Sequence, residues 1–233
     1  MQIIKAGANY AASKVLNRAP QTGNCLLLND LTGGVEATAL EANYGGITMS
    51  KAGSPVFKRQ GVLLDGTNYL GTTLNATGSF NTQNMTICGV FFRNPTTMYF
   101  GNFGNALPND SLLEATGLTT RFRYQSSDVN VNVDPPNPCP PGAPFFFGAS
   151  CTAAGVTAVV GYLGRIYQAS SASARDYDST RPFRVGSGPD TVFTDSPFLA
   201  CGVGLWEAAI GVNGLADVYA WFRHRHARVG VHY

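Results

Sequence analysis

About two hundred residues pass before this chain offers a periodic helix, and most of that length is short apolar runs cut by Gly, Pro, Asn, Asp and Ser. Such a layout disfavours a helical bundle and an alternating strand-helix fold, and predicts stacked antiparallel sheets. The helix comes almost last, from about Leu215 to Arg228. There Leu215, Val218, Tyr219 and Phe222 recur at i, i+3, i+4 and i+7 and share one face. Asn213 is placed to cap its start. Arg223, Arg225 and Arg228 fall in or near the last turn, where cations meet the negative end of the helix dipole. That gives the basic cluster a local reason. With a net charge of only +2, no nucleic-acid partner is expected.

A length of 233 residues suits one all-β sandwich, and 44% hydrophobic content supplies a core. Only 13% of residues are charged, about half the usual share, while Gly reaches 27. Many turns and a neutral polar surface follow. A surface so poor in charge suits an assembly in which neighbours cover it, so a homo-oligomer is expected. The chain has no run of about twenty apolar residues and no secretory pattern after Met1, so neither a membrane span nor export is expected.

Gly61 to Leu64 runs into Asp65-Gly66 and on to Tyr69-Leu70, a strong hairpin signal. Met85 to Phe92 is long and apolar enough for a strand buried on both sides. Met98 to Phe103, Leu112-Leu113 and Arg121 to Tyr124 read as further strands. Val129, Val131 and Val133 alternate with Asn130, Asn132 and Asp134, the pattern of a half-solvated strand. From Pro135 to Pro144 six of ten residues are proline, so residues 134–144 form a loop that no ladder can cross. Strands resume at Val156 to Tyr167, Pro182 to Val185 and Phe198 to Trp206. Phe145-Phe146-Phe147 form either an exposed adhesive tip or a buried strand, the latter favoured.

Five cysteines (Cys25, Cys88, Cys139, Cys151, Cys201) are scattered without a C-x-x-C pair, so no metal site is expected and most read as small buried hydrophobes. A Cys139–Cys151 bridge closing about a dozen residues is open on spacing alone. No Gly-x-Ser-x-Gly elbow, His-Glu-x-x-His or phosphate loop occurs, and no cofactor is expected.

The succession Val62-Leu63-Leu64-Asp65-Gly66-Thr67-Asn68-Tyr69-Leu70, then Met85 to Phe92, then Phe183-Arg184-Val185-Gly186, then Leu199 to Trp206 and the helix, resembles concanavalin A-like, laminin-G-like jelly rolls. The opening Ile4-Lys5-Ala6-Gly7-Ala8-Asn9-Tyr10-Ala11-Ala12 and the closing Arg228-Val229-Gly230-Val231 resemble the ends of such proteins from tailed bacteriophages. The resemblance spans about two-thirds of the chain and leaves the Pro-rich loop unmatched. It implies an all-β, concanavalin A-like jelly-roll sandwich of two antiparallel sheets with a short C-terminal helix. Residues 1–20 would form an N-terminal docking arm, with Ile4 and Tyr10 as contacts, and residues 21–233 the domain. It further implies a virion protein of tail, fibre or head, assembled in the host cytoplasm. Its partners would be other virion proteins or carbohydrate on the host surface.

Aromatic rings on loops and strands supply faces for sugars, and the candidates are Tyr69, Tyr99, Tyr124 and Tyr177, with Tyr44, Phe103 and Tyr167 behind them. The alternative is a capsule depolymerase on the same fold. Glycoside hydrolysis needs two carboxylates held about 5 to 10 Å apart, and no Glu-x-Asp strand pair exists; Asp176-x-Asp178 reads as a solvated turn. Arg121-Phe122-Arg123-Tyr124-Gln125 has the arginines of a lyase strand without its glutamate, and no Gln-x-His occurs. His224, His226 and His232 crowd the last ten residues, away from any expected sheet face. The chain is therefore expected not to be an enzyme.

Overall fold

The computed structural model describes residues 23–72, 83–102, 112–116, 119–124, 130–175, 182–186 and 196–233. Two antiparallel sheets make a jelly-roll sandwich. One sheet runs Arg165–Ser171 (β13), Gly155–Tyr162 (β12), Pro144–Thr152 (β11), Met85–Phe92 (β6), Phe198–Trp206 (β15), Gly61–Leu64 (β4) and Val56–Lys58 (β3), with Cys25–Asp30 (β1) also paired to β15. The other runs Asn130–Val133 (β10), Thr119–Arg123 (β9), Leu112–Thr116 (β8), Thr96–Gly101 (β7), Arg184–Val185 (β14), Tyr69–Thr72 (β5) and Met49–Ala52 (β2).

The helix, Gly211–Ala227 (α2), lies on the outer face of the eight-stranded sheet and explains its unbroken apolar runs. In β6, Met85, Ile87 and Phe91 enter the core between the sheets, while Cys88 and Val90 pack under α2. In β11, Phe145 and Phe147 face the core and Phe146 meets the helix; all three are fully buried. Period two is intact; both faces are dry. Leu215, Val218, Tyr219 and Phe222 form the seam, as their spacing predicts. The helix sits close because strand glycines lie beneath it: a methyl group at Gly202 would stand 2.2 Å from Phe222 Cε1.

Several local expectations give way. The helix begins four residues before Leu215, and Asn213 lies inside it rather than capping it. Hydroxyls from strands distant in sequence serve the helix start instead: Ser150 Oγ accepts the Gly211 N–H at 2.9 Å and Thr86 Oγ1 accepts that of Ile210 at 3.1 Å. The Asp65-Gly66 turn is tight, with reciprocal backbone bonds between Asp65 and Asn68. It joins no hairpin, because β4 belongs to one sheet and β5 to the other, so the turn is a corner of the sandwich. Val156 to Tyr167 is two strands, folded back at Leu163-Gly164, whose φ angles are +50° and +74°. A five-residue helix, Glu36–Leu40 (α1), is too short to leave a periodic trace in the sequence. Cys139 and Cys151 are both free thiols, so no bridge joins them; burial pushes each thiol up to about 12 and keeps it protonated.

Candidate functional site

The sandwich has two unlike outer faces. The eight-stranded sheet is covered by α2, whereas the strands of the seven-stranded sheet turn polar side chains outward. On β9, Phe122 enters the core and sends its neighbours Arg121 and Arg123 to the other side. On β10, Val131 and Val133 do the same for Asn130 and Asn132. Leu113 and Ala115 do it for Glu114 on β8, and Val185 for Arg184 on β14.

Register aligns these residues across the strands. Asn132 pairs with Arg121, Arg121 with Glu114 and Glu114 with Met98. A parallel row runs Asn130, Arg123, Leu112, Gly101, Arg184, Gly71, Ser50. Two polar stations result. In the first, Glu114 Oε1 accepts the Nε–H of Arg121 and, at 2.6 Å, the Nε–H of Arg123. The carboxylate is 3% exposed between arginines that are 23% and 12% exposed. In the second, the Arg184 guanidinium lies 4.9 Å from the centre of the Tyr69 ring, beside Gly71 and the exposed Ser50. Arg123 and Arg184 are three strand steps apart, about 14 Å.

Of the four expected sugar-binding tyrosines, Tyr69 alone is described near an outer face, half-buried beneath Arg184. Tyr99 is fully buried, stacked on Phe91 at 4.7 Å with Phe145 and Phe198 edge-on, and its hydroxyl is bonded to the Asn94 backbone. Tyr124 is fully buried against Phe122. Neither ring offers a face to solvent, because core packing between the sheets claims both. Tyr177, Phe103, Asp176, Asp178 and the arm residues Ile4 and Tyr10 lie outside the described residues. Tyr44 is half-buried, edge-on to Trp221, and Tyr167 is half-buried at the rim of the core.

Glu114 and Arg184 are the site residues that sequence reasoning misses. A strand reading of Leu112-Leu113-Glu114 puts Glu114 opposite Leu113, but only the β8–β9 register brings it between the two arginines.

A second polar cluster lies under the other sheet. Tyr233 Oη is 3.2 Å from His226 Nδ1, His226 Nε2 is 3.4 Å from Asp30 Oδ1, and Asp30 Oδ2 accepts the Arg225 Nε–H at 2.7 Å. Burial works to raise the Asp30 carboxyl, but the bond and charge of His226, with Thr32 and Arg225, outweigh it and hold the group well below the usual carboxylate range. Burial drives the Tyr233 phenol well above its usual value. The order acid, imidazole, hydroxyl looks catalytic, yet His226 is wholly buried and Tyr233 4% exposed. No substrate reaches it; it fastens the chain end to β1. Among the described residues no three His, Cys, Asp or Glu side chains cluster to hold a metal, and no helix is long and apolar enough to cross a membrane.

No protein-family model matches the chain, and no curated protein matches it. Solved structures do. The chain is similar to domain 4 of AbnA, an extracellular GH43 arabinanase of Geobacillus stearothermophilus solved in complex with arabinotriose, at 12% identity and a TM-score of 0.55, over 84% of this chain and 98% of that one. It is similar to the botulinum neurotoxin serotype G binding domain at 10% identity and a TM-score of 0.60, over 84% of this chain and 51% of that one. It is also similar to botulinum neurotoxin type C, whose cell entry depends on interaction with two ganglioside molecules, at 11% identity and a TM-score of 0.59, over 86% and 52%. The chain thus spans about half the length of the neurotoxin chains. At these identities the likeness is one of fold.

Proposed function

We propose that the chain is a non-catalytic glycan-recognition domain of a bacteriophage virion protein, placed on a tail, fibre or head and working as a homo-oligomer among other virion proteins. The observation that carries the recognition reading is the outer face of the seven-stranded sheet, where guanidinium, amide, hydroxyl and ring groups stand in aligned rows. These are the groups that bind sugar hydroxyls and ring faces. Within the described strands of that face Glu114 is the sole carboxylate, and it is tied to two arginines. Glycosidases of the usual kind need a second acid across the scissile bond. The relatives in fold support the same reading, since AbnA domain 4 was captured with arabinotriose and type C neurotoxin depends on gangliosides. The virion setting rests on the likeness of the first and last segments to bacteriophage proteins. Residues 1–20, with Ile4 and Tyr10, serve there as the docking arm.

The isolated chain on a glycan array tests recognition: binding that Tyr69→Ala or Arg184→Ala removes supports it, and an empty array refutes it. Release of reducing ends from capsular polysaccharide would replace it with the depolymerase. Mass spectrometry of purified particles tests the virion setting through the presence and copy number of the chain.

A further inference from the structure

We infer that two copies of the chain pair through the outer edge of β13, each laying Arg165–Ser171 antiparallel to the other's, so that two eight-stranded sheets become one. The inference rests on the homo-oligomer of the proposed function and gives it an interface; glycan recognition does not depend on it.

An open strand edge presents unpaired N–H and C=O groups that recruit another strand, and proteins blunt it with short strands, lysine, proline or a covering segment. Among the described strands five leave one side open, and four of these are blunted. β3 has three residues with Lys58 exposed, and just past it Arg59 O accepts the Gly33 N–H at 2.9 Å. β2 has four residues, and its Lys51 is bound to Glu36 of α1 at 2.6 Å. β10 has four residues and runs into Asp134-Pro135-Pro136. β1 exchanges backbone bonds with Tyr44 through Leu28. β13 has none of these devices. Its seven residues pair with β12 in an unbroken register, include no proline, lysine or acid, and meet no described strand on the other side.

The hairpin fixes which backbone groups face outward. Tyr162 and Arg165 close a two-residue turn with φ angles of +50° and +74°, which makes them a hydrogen-bonded pair. Bonding alternates from there, so Ile166, Gln168 and Ser170 hold their backbone groups away from β12. A two-fold axis at Gln168 sets these three against Ser170, Gln168 and Ile166 of the other copy. The side chains match in this register. Toward the core, Tyr167 at the rim meets Ala169, a large group against a small one. Toward α2, Ile166 meets Ser170, and Gln168 meets its own copy, an amide being both donor and acceptor. Arg165 is the one charge on the edge and falls opposite Ser171, so the two guanidinium groups stand about 20 Å apart, some two screening lengths.

Leu163 is an independent sign of the same contact. It is 67% exposed, the most exposed large apolar side chain among the described residues. It also holds a positive φ at a turn position that favours Asn or Gly. Continued past the strand, the two-fold register places it opposite Ser173 and beside Ala172, both exposed. Pairing thus covers an apolar group that one copy leaves in water. Residues 1–20 suit this edge less well, since they carry Lys5, Lys14 and Arg18 without an acid and the edge offers no carboxylate.

Sedimentation velocity on the whole chain from about 1 to 200 μM tests the inference. The expected result is a species of twice the 24.7 kDa chain mass that grows with concentration. Across that range hydrogen exchange at the amides of Ile166, Gln168 and Ser170 should slow by about tenfold or more. Gln168→Pro removes the central outward N–H at an edge position that tolerates proline, and Gln168→Lys sets two cations face to face. Each should weaken pairing at least about tenfold with Tm within a few degrees, and Gln168→Lys decides alone where proline disturbs the strand. Gln168→Ala, which keeps the N–H, should still pair. Leu163→Asn suits the turn and should weaken pairing without lowering Tm. A chain lacking residues 1–20 should keep the double-mass species. Pairing that persists in Gln168→Lys, leaves the three amides unprotected, or vanishes with residues 1–20 would overturn the edge interface while leaving a homo-oligomer standing. A single-chain mass across the whole range would overturn the homo-oligomer reading itself.

Discussion

At the scale of single residues, the buried chain of Asp30, His226 and Tyr233 makes the strongest demand on the fold. Asp30 is 9% exposed and carries a charge that water hardly reaches, so the fold keeps it ionised only through Arg225, Thr32 and His226. Its carboxyl titrates below its ordinary value near 3.8 in the folded protein. Stability from this group is therefore fully present above that ordinary value and is lost as pH falls below it toward the folded value. Replacing Asp30 with Asn should cost about 1–3 kcal/mol at neutral pH, because Arg225 and His226 lose their anion. It should also flatten the acid limb of the stability curve. Urea unfolding followed from pH 7 down the acid limb checks both: the gap between wild type and Asp30→Asn should be full at pH 7, begin to narrow only below about 3.8 and keep closing toward the lower folded value, and a gap that stays constant as pH falls would assign the acid limb to other carboxylates. Nothing in the sequence announces this chain. Asp30 and His226 are 196 residues apart, and their contact exists only once α2 lies on the sheet beside β1. Sequence separation hides Glu114 far less, seven residues from Arg121, but there the register decides, and a shift of one residue would have turned it into the core.

At the scale of elements, the sequence is most legible where burial and period agree. The helix face, the strand Met85–Phe92, the strand Phe198–Trp206 and the burial of Phe145 to Phe147 all follow from apolar spacing, because packing enforces that spacing. Helix ends and turn roles follow poorly. The α2 start depends on Thr86 and Ser150 hydroxyls from the middle of two strands, where capping rules do not look. The Asp65-Gly66 turn has hairpin chemistry but lies at a corner between sheets, a choice made by the pairing of β4 with β15. The tyrosines mislead for a related reason: an amphipathic ring reads equally well as surface or core, and the stack of Phe91 on Tyr99 settles it only when the sheets meet. The seating of α2 yields two predictions. Gly202→Ala places a methyl 2.2 Å from the Phe222 ring and should cost about 1–3 kcal/mol, seen as a lower Tm, with Phe222→Leu in the same chain restoring part of it. No recovery in the double variant would place the strain elsewhere. Ser150→Ala removes the acceptor for the Gly211 N–H and should cost about 1 kcal/mol by urea unfolding.

At the scale of the whole molecule, the asymmetry between the faces gives the fold its direction. One sheet is covered by α2, with Tyr233 packed against that helix and its hydroxyl beside His226. The other sheet keeps a row of polar groups on its outer side, and in the proposed setting that side meets the ligand while residues 1–20 hold the domain in its assembly. Division of labour of this kind predicts that the two ends of the job come apart. The described core closes on itself between Leu27 and Tyr233, with β1 paired to β15 and the last residue packed against Tyr219 and His226. A chain lacking residues 1–20 should then keep its circular dichroism spectrum and its Tm within a few degrees. It should keep its glycan binding per domain as well. What it should lose is incorporation into particles, or self-association beyond the β13 pair measured by light scattering, and with it the gain that clustered sites give to weak sugar contacts, about 100-fold or more. Unfolding of the shortened chain would make those residues part of the core. Unchanged assembly would move the docking surface onto the sandwich, whose β13 edge would then carry it alone.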